Sequence, residues 1–411
     1  MRVSDPDGRE LRFLFQKSYG PAAIQYRNPT GSTVFPSAQQ ITVSEHTAVF
    51  KEINATIELE YNLWDRARRS PSKYAEPLAL EIQSKTIASK RRLAADMYGD
   101  GTGAVGEVAS EVSLASGVVT IQLSTSATSP GHVGFFEFGD LLVAATAAGS
   151  ALTPTASGFY AYRVKERRRK LDQVVLEIVD SAGNVITGAS ATNLVSGAIF
   201  YRVGQPTIPN RSAISDYGTA TEVMPGLQSL AAADGRTVHG IVMSGASAAT
   251  QIDAAGNPLD VSQVQEMMDA VKINVGQSAY SWKMLAMAPE AHAALIESRE
   301  TDRRFQSVED NKRGIRVFAY IHGNDVLETY TTEYVQKKQM YALPEAKSGQ
   351  KVLEAYMTDF EPVKMGGMGE FHLKPSSQGG HERKISSYMQ CLTTLICKHP
   401  AAIGRLSNFS L

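Results

Sequence analysis

Eight histidines and two cysteines are the side chains in this sequence best suited to metal binding or nucleophilic attack. The histidines stand at 46, 132, 239, 292, 322, 372, 381 and 399; none sits at metal-ligand spacing from another or beside an obvious nucleophile. Cys391 and Cys397 lie on a segment that reads as a strand, and their spacing points both to one face. Strand geometry puts them roughly 20 Å apart, too far for one metal ion or a disulfide. Buried structural thiols are the expectation. No GxxxxGK[ST], HExxH or GxSxG motif occurs. Gly99-x-Gly101-x-Gly103 follows a predicted helix, whereas a dinucleotide fingerprint follows a strand and opens a helix, so it reads as a helix stop. Two basic clusters remain: Lys165-Glu166-Arg167-Arg168-Arg169-Lys170, and Arg66 with Arg68 and Arg69. The chain has 41 Lys+Arg against 42 Asp+Glu, a net charge of −1, and a short basic turn in a neutral chain neutralises few phosphates. Both clusters read as solvated turns or interfaces. No catalytic residue, cofactor or metal ligand is assigned.

The elements that would position such residues divide the chain into several units. At 411 residues, two or three domains are expected. Apolar residues at 43% and charged residues at 20% describe a globular chain, and two cysteines exclude a disulfide framework. No stretch approaches the roughly 18 apolar residues of a membrane helix. The opening Met1-Arg2-Val3-Ser4-Asp5 has no signal-peptide core, so synthesis in a cytoplasm is expected.

Residues 1–21 read as an N-terminal arm and 22–61 as a long extended hairpin. Pro29, Gly31 and Pro36 mark its tip, and Ile53, Ala55, Ile57, Leu59 and Tyr61 alternate with Asn54, Thr56, Glu58 and Glu60. Such a hairpin is expected to need a cover outside its own subunit. A long helix is predicted over 70–98, opened by Ser70-Pro71 and stopped at Gly99, within a unit spanning 62–103. Residues 104–206 carry short alternating strands without helices, among them Val119, Ile121 and Leu123, which predicts a small all-β insert, a barrel. Over 207–384 helices and strands mix: Asp260-x-x-Gln263 is a capping box before Val261, Val264, Met268, Val271 and Val275, and Pro289 opens a second helix. Residues 385–411 return to strand. The fold class is α+β with an all-β insert.

The order of these elements resembles the Hong Kong 97-type fold of tailed-bacteriophage major capsid proteins. Lys51 to Leu63 is similar to the return arm of that family's extended loop, Tyr74 to Tyr98 to its spine helix, and Asp260 to Arg304 to its axial domain. Ser387 to Asn408, with Lys398-His399-Pro400, is similar to the final peripheral-domain strand and tail. The resemblance implies a shell subunit that assembles as a homo-oligomer into the hexamers and pentamers of an icosahedral head. It implies enclosed double-stranded DNA without sequence-specific binding, a separate scaffolding protein, a portal and room for a decoration protein, and no membrane. The expected location is the virion, with assembly in the host cytoplasm. Its expected intersubunit contacts are Arg27, Asn28, Ile53, Ile57, Glu58, Leu59, Arg68 and Arg69. The alternatives are an encapsulin-type nanocompartment shell, and a carbohydrate-active enzyme or adhesin with a β accessory domain.

Overall fold

The computed structural model of the chain describes residues 10–18, 42–60, 71–126, 128–189, 191–204, 208–217, 219–232, 235–243, 250–275, 280–300, 319–322, 325–346, 352–357, 361–362, 372–375 and 381–411. In chain order the first elements are β1 (Glu10–Ser18), β2 (Thr42–Val49), β3 (Lys51–Glu60) and the helix α1 (Pro71–Tyr98). The insert contains β4 (Ala104–Ala115), β5 (Val118–Leu123), β6 (Leu141–Ala145), β7 (Ala151–Leu152), β8 (Ala161–Arg168), β9 (Gln173–Val179) and β10 (Ile199–Arg202). Next come α2 (Leu227–Leu230), β11 (Thr237–Val238), β12 (Ile241–Val242), β13 (Gln251–Asp253), α3 (Val261–Val275), β14 (Tyr280–Met287) and α4 (Pro289–Glu300). The last are β15 (Ala319–His322), β16 (Asp325–Thr331), β17 (Gln339–Ala346), β18 (Leu353–Met357), β19 (Glu361–Pro362), β20 (His372–Pro375), β21 (His381–Cys397) and β22 (Gly404–Ser407).

The insert closes on itself. Its strands run in the order β10, β4, β5, β9, β8, β6, and β6 pairs back to β10, leaving a six-stranded antiparallel barrel with β7 appended to β6. Closure removes the exposed edges that an open sheet of these short strands would present. The alternating Val119, Ile121 and Leu123 point inward and are almost wholly buried. Phe136, Phe200 and Tyr162 fill the interior edge to face, at 6.1 Å and 5.8 Å between successive rings. Tyr162 keeps its hydroxyl satisfied by donating to Thr192 O at 2.9 Å. The insert thus owns a core separate from the rest of the chain, apart from Ala95 and Tyr98 of α1 and Tyr334, which border it.

The central unit is a mixed six-stranded sheet, ordered β13, β22, β17, β14, β16, β15. Asp260 caps α3 as its sequence predicts: its Oδ1 accepts from Val261 N–H at 2.6 Å, and Gln263 reaches back to Asp260 N–H at 3.4 Å. The helix then buries Val264, Met267, Met268, Val271 and Val275 against the sheet. Gly404 in β22 permits that approach; a Cβ there would stand 3.0 Å from Val271 and 3.1 Å from Met267.

The third unit is built on β21, a strand of 17 residues. Along one edge it carries β3 in antiparallel register from Lys51 opposite Thr393 to Glu60 opposite Lys384. Along the other it carries β18, β19 and β20 in turn. The 28-residue α1 lies beside β3. Where its side chains are described, α1 buries Ser89, Leu93 and Ala95 and exposes Ile87, Lys90 and Arg91, so one stripe faces the protein.

The pairing differs from expectation in two places. The hairpin placed at 22–61 does not pair within itself among the described residues: β2 pairs with β1, and β3 with β21. In the β1–β2 ribbon, Leu11, Phe13 and Ala48 are buried in the main core. Phe13 packs edge to face on His239 at 5.9 Å, and His46 Nδ1–H donates to His239 O at 3.0 Å. The boundary at 384/385 is crossed twice. Strands β18 to β20 join β21 outside the central sheet, while β22 joins the central sheet between β13 and β17. Alternation tells which face of a strand is apolar; it does not name the partner.

Candidate functional site

Among the described residues no group of three or more His, Cys, Asp or Glu side chains is placed to hold a metal ion. No described helix is long and apolar enough to cross a membrane. Cys391 and Cys397 are both buried, and neither is in a disulfide. Burial pushes the Cys397 thiol up to about 12, far from the range of a reactive thiolate. Two of the histidines serve as hydrogen-bonding spacers: His239 Nε2–H donates to Leu395 O, and His132 Nε2–H to Tyr334 O, each at 3.0 Å.

The Gly99-x-Gly101-x-Gly103 segment is a joint. Gly99 N–H closes the end of α1 on Asp96 O at 3.2 Å, and Gly101 and Gly103 adopt φ of 81° and 76°, which an L side chain resists. Asp100, between Gly99 and Gly101, is 1% exposed. Its carboxylate accepts from Thr102 N–H and hydroxyl, and from Arg211 at 3.0 Å. This buried pair ties the chain leaving the barrel to the chain entering it.

The basic run 165–170, which is the end of β8 and the short turn after it rather than a turn throughout, is an interface within the chain. Lys165 pairs with Glu177 on the barrel wall, and Arg168 pairs with Glu166. Arg167 reaches Phe136 O at 2.8 Å and Glu333 at 3.7 Å. Arg169 makes the strongest link, a two-pronged contact with Glu290 at 2.5 Å and 2.9 Å. Glu290 occupies the first turn of α4, where the helix dipole also favours a carboxylate. Lys337 completes the contact by donating to Arg169 O and pairing with Asp172 at 2.7 Å. Gln228 and Gln336 both donate to Ser129 O, at 2.7 Å and 3.0 Å. The arginines were visible in the sequence. Their partners were not, since Arg169 and Glu290 lie 121 positions apart with no local signal linking them.

The expected intersubunit residues are scattered. Arg27, Asn28, Arg68 and Arg69 lie outside the described residues. Ile53 is half-buried, with one side packed on the subunit's own main core. Ile57, Glu58 and Leu59 stand on β3 opposite Ser387, Ser386 and Ile385. Large apolar side chains elsewhere face outward, among them Phe138 at 80% and Ile273 at 82% exposure. Nothing in their local spacing announces this, because lone exposed apolar residues leave no periodic trace.

No protein-family model matches the sequence, and no curated protein matches it. The chain is similar to a chain of the cyanophage A-1(L) capsid asymmetric unit, at 9% identity over 98% of this chain and 89% of that one, with a TM-score of 0.48. It is similar to a chain from the capsid of an empty GTA particle, at 10% identity over 99% and 87% of the two chains, with a TM-score of 0.43. An encapsulin from Synechococcus elongatus is similar over 39% of this chain and 53% of its own, at 12% identity and a TM-score of 0.26.

Proposed function

We propose that the chain is a shell subunit, the major capsid protein of a tailed bacteriophage, forming hexamers and pentamers of an icosahedral head around double-stranded DNA. One observation carries the reading. A 28-residue helix lies beside a sheet built on a 17-residue strand, and this unit adjoins a six-stranded α+β unit in the order the sequence resemblance implies. Beyond its pairing with β21, β3 has no further strand partner among the described residues. A row of backbone donors and acceptors on a long strand favours a neighbouring chain as cover. The proposed intersubunit contacts are Arg27 and Asn28 in the segment between β1 and β2, Arg68 and Arg69 before α1, and Ile53, Ile57, Glu58 and Leu59 on β3. Near-zero net charge suits a container that encloses DNA and later releases it.

Negative-stain imaging and light scattering of the purified chain, alone and co-expressed with its scaffolding protein, test the reading. Closed particles, or rings of five or six, are expected. A monomer that persists at every salt concentration with scaffold present rejects it. Closed shells that form without scaffold, around a protein cargo, point instead to a nanocompartment.

A further inference from the structure

The barrel and the central unit meet through a cluster of polar contacts, and His132 sits among them. It caps the short turn Val133–Phe135 and is 7% exposed. Gly134 N–H donates to its Nδ1 at 3.1 Å, while its Nε2–H donates at 3.0 Å to Tyr334 O, on the connection between β16 and β17. Both ring nitrogens are therefore committed, and the bonds select the neutral ring protonated at Nε2. A second proton, on Nδ1, would set a donor against the Gly134 donor and break the cap.

The surroundings offer that proton no new counter-charge. Arg169 and Lys337 bring positive charge to the ring, and Glu290 brings negative charge already engaged by Arg169. Of the other carboxylates at the joint, Asp172 is paired with Lys337 and Glu333 with Arg167. The approach is close: a Cβ on Gly134 would stand 2.0 Å from Glu333 O. The two chain crossings into the barrel carry Gly101 and Gly103 on one side and Gly204 on the other, all at positive φ.

We propose that His132 is an acid-sensitive latch that fixes the barrel on the central unit, and that protonating it lets the barrel move as a folded body. Burial is the main reason its affinity for a proton is low, and it holds the ring at about 4. Above about pH 6.5, the ordinary histidine value, the ring is neutral whether the joint is open or closed, and the latch is at full strength. Between about 6.5 and 4 the open joint takes up a proton and the closed joint does not, so the latch weakens as pH falls. Below about 4 both states are protonated and the loss is complete, roughly 300-fold in the closing equilibrium. Although burial raises it, the Arg169 contact holds Glu290 below its usual range, so Glu290 stays ionised through most of that window.

Hydrogen–deuterium exchange on the full chain, corrected for the intrinsic pH dependence of exchange, reads the latch. Between pH 7 and pH 4.5, peptides over 130–137 and 331–338 should lose at least tenfold in protection, while β9 in the barrel and β14 in the central sheet keep theirs. His132→Asn retains an acceptor for Gly134 N–H but cannot titrate. Its joint should be less protected than wild type at pH 7 and unchanged on going to pH 4.5. Histidine C2-hydrogen exchange in the wild type should place His132 well below 6. The proposal is overturned if the His132→Asn joint opens with acid as the wild type does, if the wild-type joint stays closed, or if β9 and β14 lose protection together with it.

Discussion

Replacing Phe136 by alanine tests whether the two cores are two cooperative units. Phe136 is fully buried in the barrel, 6.1 Å from Phe200. Gly106 faces it so closely that a Cβ there would lie 2.7 Å from its ring. A wall that tight, in a closed sheet, collapses little around a cavity. A Phe→Ala change in a core costs about 3 to 5 kcal/mol, and poor collapse puts this one near 4 kcal/mol. For a domain of about 100 residues, each kcal/mol lowers the midpoint by about 4 to 8 °C, so the barrel transition should fall by roughly 15 to 30 °C. The central core contains none of the residues around Phe136, so its transition should stay within about 2 °C. Differential scanning calorimetry of the full chain near neutral pH reads both, and Leu285→Ala, in the main core, should move the other transition. A single transition lowered as a whole by Phe136→Ala, or a shift under about 5 °C, refutes the reasoning.

Trp282 is fully buried and donates through Nε1–H to Ala402 O at 2.9 Å; Trp282→Phe should cost about 2 to 4 kcal/mol in urea unfolding followed by circular dichroism, with the barrel transition unchanged. A Cβ at Gly131 would lie 2.2 Å from Val105 O, so Gly131→Ala should destabilise the barrel by at least about 3 kcal/mol or yield insoluble protein. With both thiols buried and Cys397 pushed up to about 12, neither cysteine should react with a thiol reagent at pH 8 until the chain is unfolded; fast labelling of the folded protein would contradict the burial.

Features written in nearby residues were legible in the sequence. Asp260-x-x-Gln263 and the 3-and-4 spacing after it fixed α3, because capping and helical periodicity act within one or two turns. Ser70-Pro71 and Gly99 framed α1 closely. The alternation of Val119, Ile121 and Leu123 announced strands with one buried face, and their brevity announced the barrel. Partnerships across the chain were not legible. Residues 51–60 alternate whether they pair with residues 22–40, a neighbouring subunit or residues 384–393, and the third is what the register records. The same holds for β22, whose four residues read equally well on either sheet. At the barrel joint, the charge run 165–170 was conspicuous while His132, Glu290 and Lys337 were not. Single charged residues in unrelated segments become a site only when the fold brings them together.

The pairing of β3 with β21 also sets a timetable for synthesis. Glu52 and Gln390, neighbours across that pair, are 338 positions apart. At about 5 to 20 residues per second, a ribosome needs roughly 20 to 70 s to make the stretch between them. Throughout that interval β3 has emerged without its partner strand, while the barrel, whose strand pairs all close within residues 104–202, can already fold. The interval exposes a strand edge at the time when many nascent copies lie side by side on one message. A chain made slowly, or cut short before residue 381, would leave β3 open to pairing with the wrong molecule.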